Sequence, residues 1–63
     1  MASNFDKALQ ITQKWPADKT VPAELRELYV ATGEDPMVGM FVEALYAAAG
    51  DPGDLELIAE SWR

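Results

Sequence analysis

The sequence predicts an all-α fold: a small bundle of four short helices around an apolar central helix. Three observations carry that expectation. Apolar residues recur at the three- and four-residue spacing of helices, and no stretch alternates apolar and polar residues long enough for a strand. Residues suited to helix ends punctuate the chain, namely Ser3, Thr20, Gly33, Asp35-Pro36 and Gly50-Asp51-Pro52. Between the last two of these, PMVGMFVEALYAAA (residues 36–49) carries one charge, Glu43, and no other strongly polar side chain. A chain of 63 residues makes one helical domain, 1–63.

The first helix is expected over residues 4–15. Ser3 is a good N-cap, and Asp6, three residues on, completes a capping box with Asp in the usual Glu position. Phe5, Ala8, Leu9, Ile11, Thr12 and Trp15 gather on one side, and Asp6, Lys7, Gln10, Gln13 and Lys14 on the other. Pro16 ends the helix by pushing the residue before it out of the α region.

After a PADKT loop, Thr20 is positioned to cap a second helix with Val21 and Pro22 in its first turn. Val21, Leu25, Leu28, Tyr29 and Thr32 share one face, and Gly33 is a natural residue to close it. Asp35 then caps the third helix, with Pro36 at its first position. Met37, Val38, Phe41, Ala44, Leu45 and Ala48 form the stronger stripe there; Gly39, Met40, Val42, Glu43, Tyr46 and Ala47 lie opposite. Gly39 points either to a close backbone approach or to a later start of the regular helix. Asp51 or Asp54 caps the last helix, which runs to about Trp62 and places Leu55, Ile58, Ala59 and Trp62 inward, with Leu57 pointing elsewhere.

Composition narrows the function classes. There is no Cys and no His, so disulfides, thiolate metal sites and the commonest general base are all excluded. The remaining hydroxyls have no His or Cys to activate them, no Gly-rich phosphate loop is present, and Asp51, Asp54 and Glu56 read as caps and solvated charges. The expectation is a non-enzyme without cofactor or metal.

The net charge of −6 is unevenly spread. Residues 1–26 hold three acids and four bases, whereas residues 27–62 hold eight acids and no base. That balance speaks against direct nucleic-acid binding and against anionic membrane surfaces. The apolar stretch is shorter than the roughly 20 residues that span a bilayer, and no signal-peptide pattern is visible, so a cytoplasmic protein is expected.

Several pieces of residues 24–63 resemble the ubiquitin-associated (UBA) type of three-helix module, in the variety found at the N-terminus of elongation factor Ts. They are Glu24-Leu25-Arg26-Glu27, Thr32-Gly33, Glu43-Ala44-Leu45, Gly50-Asp51 and Leu55-Glu56-Leu57-Ile58-Ala59-Glu60. Relative to that pattern the loop after Gly33 is longer, Pro52-Gly53 is added, and Phe41 and Val42 replace basic residues. The resemblance implies a compact protein-binding module whose apolar contact surface would include Met37, Met40 and Leu57.

A domain of about 60 residues buries only about 60% of its unfolded surface, and an apolar stretch with two oily sides exceeds what three small neighbours cover. The functional expectation is therefore a protein–protein interaction module, self-associating as a homodimer or serving as a subunit of a larger assembly. Its candidate protein-binding residues are Met37, Met40, Val42, Tyr46 and Leu57. The alternative is an acidic charge-mimic that binds a basic, nucleic-acid-binding protein.

Overall fold

The computed structural model describes residues 2–63. Its helical segments are α1 (Asn4–Thr12), α2 (Val21–Ala31), α3 (Pro36–Gly39), α4 (Phe41–Ala47) and α5 (Pro52–Trp62), with no strand among the described residues. The four expected helices form, the third of them in two pieces, α3 and α4.

Most helix ends follow the expected chemistry, but α1 stops at Thr12, three residues short of the expected Trp15, so Pro16 does not set its end. Ser3 and Asp6 make the reciprocal capping box of α1. The Asp35 carboxylate accepts the Met37 N–H at 2.9 Å to open α3, and Asp51 accepts the Asp54 N–H at 3.0 Å to open α5. Gly33 (φ 72°) closes α2: its N–H reaches the Val30 carbonyl at 3.1 Å while the Glu34 N–H reaches that of Tyr29 at 2.8 Å, a Schellman pair. Thr20 is a further exception, since its side chain makes no cap bond to α2. Its hydroxyl lies 2.6 Å from Asp18 and 2.8 Å from Glu24, and its single proton serves one of them at a time.

The structure does not single out the Pro36–Ala49 stretch as the centre of the bundle. Helix α2 packs against α1, α3 and α5 and buries Val21, Pro22 and Leu25 completely. The 36–49 segment also packs on α1, α2 and α5, but it buries only Val38 and Leu45, with Gly39, Phe41, Val42 and Ala49 half-buried. Val38, Phe41, Val42, Leu45 and Ala49 form a single narrow stripe at helical spacing, so most of this apolar sequence stays in solvent. The segment breaks at Met40, where an i→i+3 bond from the Glu43 N–H to the Met40 carbonyl starts α4. A Cβ on Gly39 would stand 3.0 Å from Tyr29 Cε1, so the glycine admits the Tyr29 ring against the backbone just before the break.

Two aromatic side chains fasten the ends of the bundle. Trp15 is buried, and its indole N–H donates to the Leu45 carbonyl at 2.9 Å, serving the C-terminal end of α4. The Trp62 indole donates to the Pro22 carbonyl at 3.0 Å, tying the end of α5 to the start of α2. Phe5, expected inside, is partly exposed but lies 5.3 Å from the Phe41 ring, joining α1 to α4.

The last helix keeps Ile58, Ala59 and Trp62 inward as expected but exchanges Leu55 for Leu57. Leu55 is exposed and Leu57 packs against the core. The inward face comprises Asp54, Leu57, Ile58, Ala59, Ser61 and Trp62, and it begins on an acid. Asp54 is 3% exposed rather than solvated; it accepts from Lys19 Nζ at 2.7 Å and from the Gly50 N–H at 2.9 Å. The Lys19 bond, then the Gly50 bond, hold its carboxyl below the ordinary aspartate range.

Candidate protein-docking groove

Three of the five residues expected to contact a partner meet in one place. Met40, Val42 and Tyr46 line an open groove of about 500 Å³ with Arg26 and Tyr29 from α2 and Trp62 from α5. Tyr29, Val42 and Trp62 are half-buried and make its lower wall; Met40 is 55% and Tyr46 44% exposed at its edges, beside the exposed Glu43. The geometry follows from helical spacing. Val42 and Tyr46 are one turn apart on α4, and Arg26 and Tyr29 are nearly one turn apart on α2. Met37 is 46% exposed but does not line the groove, and neither does Leu57, whose side chain is occupied by the core.

The lower wall is held in place. The Tyr29 and Trp62 rings lie 5.1 Å apart at a tilt of 50°, and the Trp62 N–H is engaged by Pro22. Arg26 lies over both rings, 5.5 Å from the Tyr29 centroid and 5.2 Å from that of Trp62. Among the described residues no carboxylate stands within ion-pair distance of Arg26, because the ion pairs engage Lys14 and Lys19. The guanidinium therefore combines two aromatic contacts with N–H donors that no acid among the described residues takes up.

A second groove, about 470 Å³, is lined by Lys7, Gln10, Ile11, Lys14 and Leu28. It contains none of the expected contact residues, and its Lys14 is already engaged by Glu24 at 3.0 Å and Asp18 at 4.0 Å. Among the described residues no group of three or more His, Cys, Asp or Glu could hold a metal ion. No helix among them is long and apolar enough to cross a membrane.

Sequence reasoning placed Tyr29 and Trp62 on the inward faces of their helices and did not single out Arg26. Its signal was present: it is the last base before the acidic run and lies three residues before Tyr29. Comparison with protein-family models, curated proteins and solved structures finds no match to this chain.

Proposed function

We propose that the chain is a small non-enzymatic helical module that binds another protein in the groove between α2, α4 and α5. One observation carries the reading. The most apolar stretch of the sequence leaves Met37, Met40 and Tyr46 in solvent, and two of those three line a groove with a fixed aromatic wall. Tyr46, Trp62 and Arg26 are of the residue types that dominate binding hot spots, and a flexible Met40 adapts to a partner's shape. An interface of ordinary size, about 800 Å² per partner, would cover roughly a fifth of the chain's 3959 Å² surface.

The test is affinity isolation with the wild-type chain and with a Met40→Ser/Tyr46→Ser variant, whose changes fall on exposed positions and leave the core intact. The reading expects a protein retained by the first and lost from the second. Identical retained proteins from both would refute it.

A second reading, an acidic charge-mimic of nucleic acid, is favoured by the base-free run from Glu27 to Trp62. It differs in its expected behaviour. Its binding would vanish in moderate salt and would be indifferent to the double substitution.

A further inference from the structure

We propose that the loop joining α1 to α2 is a charge-latched strap. It grips the α4–α5 turn from both flanks, and loss of the Lys19–Asp54 ion pair releases strap and turn together while the rest of the bundle stays folded.

The strap holds at two points. The Trp15 indole donates to the Leu45 carbonyl at 2.9 Å, just before the turn. The Lys19 ammonium donates to Asp54 at 2.7 Å, just after it. The two strap residues also meet each other, since Lys19 Nζ lies 5.3 Å from the Trp15 ring centroid, within cation–π range. Between them the Asp18 N–H bonds the Lys14 carbonyl at 2.9 Å, and the Asp18 carboxylate accepts the Thr20 N–H at 2.9 Å. These local bonds give the loop its own shape, so Trp15 and Lys19 move as one piece.

The turn side depends on a buried charge. Asp54 uses both carboxylate oxygens: Oδ1 takes Lys19, and Oδ2 takes the Gly50 N–H at 2.9 Å within the turn itself. A buried carboxylate is tolerated while it is paired; without the ammonium its desolvation is uncompensated and the acid gains by moving to water. That movement gives up the Gly50 bond and loosens the turn beside the carbonyl that Trp15 holds. The latch is reached from solvent through the lysine, because the Lys19 side chain is 52% exposed and that of Asp54 4%.

The other end of α5 is fastened separately. The Trp62 indole donates to the Pro22 carbonyl at 3.0 Å, and its ring lies 5.1 Å from that of Tyr29. No carboxylate takes part in that fastening, so it survives loss of the ion pair. Local opening of one such unit is the motion that hydrogen exchange reads.

The test is hydrogen exchange of the full chain followed by NMR, read at the two indole protons and the Gly50 amide, for wild type, Lys19→Met and Lys19→Arg. Lys19→Met should speed the Trp15 indole proton and the Gly50 amide by a common factor of about tenfold or more, with the Trp62 indole proton changed by less than about twofold. Lys19→Arg keeps the charge and should stay within about threefold of wild type at all three. Wild type gives the same reading without a substitution: in urea below the unfolding transition, the Trp15 indole and the Gly50 amide should share one urea dependence, distinct from that of the Trp62 indole.

Equal acceleration at both indoles in Lys19→Met would overturn the strap and leave the pair a contributor to global stability alone. Acceleration at Gly50 without Trp15, or separate urea dependences for the two, would show that the grip points open independently and would overturn it as well. A Lys19→Arg chain that opens as readily as Lys19→Met would remove the charge from the account.

Discussion

Replacing Trp15 by Phe removes one N–H and a few ring atoms from the interior, and the structure sets the size of the effect. The indole donates to the Leu45 carbonyl at 2.9 Å in a buried setting. That carbonyl lies in the last turn of α4, and the nearby Ala49 N–H goes to Tyr46 instead. Phe leaves it without a partner, at about 1–3 kcal/mol, and the smaller ring adds roughly 1 kcal/mol of lost packing. A chain of 63 residues has a total stability of roughly 3–9 kcal/mol, so the variant loses a large share of it. At about 4–8 °C per kcal/mol the melting temperature should fall by at least about 10 °C. Thermal and urea unfolding followed by far-ultraviolet circular dichroism measure this, with Tyr46→Phe, an exposed aromatic change, as the control within about 0.5 kcal/mol. A Trp15→Phe variant as stable as that control would refute the role assigned to the indole bond.

Three further outcomes follow from particular contacts. Gly39→Ala gains about 1 kcal/mol of helix propensity but places a Cβ 3.0 Å from a Tyr29 ring that rests on Trp62, so no rise in melting temperature is expected; a clear rise would show that the ring yields easily. Gly33→Ala forces a side chain into the left-handed region at φ 72° and should cost about 1–2 kcal/mol in urea unfolding; an unchanged midpoint would contradict the Schellman closure of α2. Asp54, with its carboxyl held down by Lys19 and the Gly50 N–H, stays ionised in the folded chain at a pH where the unfolded chain takes up the proton. Its contribution is therefore complete above about pH 4 and lost as the pH falls further, so the difference in melting temperature between wild type and Asp54→Asn should shrink below that pH. A difference constant down into the acid range would count against the buried pair.

The helix-end chemistry was legible in the sequence because it is local. Ser3 with Asp6, Asp35 before Pro36, Gly33 and Asp51 act within a few residues of where they stand, and each makes the predicted bond or turn. Faces were less legible where a long-range partner decides them. Asp54 reads as a surface acid until Lys19, thirty-five residues away, is brought to 2.7 Å; the paired acid lies inward, with Leu55 out and Leu57 in. Thr20 was expected to cap α2, but the neighbouring Asp18 and Glu24 carboxylates compete for its hydroxyl. The surplus of apolar surface between Pro36 and Ala49 was legible from composition, and so were Met40, Val42 and Tyr46. The groove itself was not, because its other wall comes from Tyr29 and Trp62, which only tertiary packing brings within 5.1 Å of each other.

The docking claim is tested most directly by the affinity of an isolated partner for three forms of the chain: wild type, Tyr46→Ser and Leu55→Ser. Tyr46 and Leu55 are equally exposed at 44%, but only Tyr46 lines the groove. Groove docking predicts that Tyr46→Ser raises the dissociation constant about tenfold or more while Leu55→Ser leaves it within about twofold. Equal losses at both positions, or a loss at Leu55 alone, would contradict it.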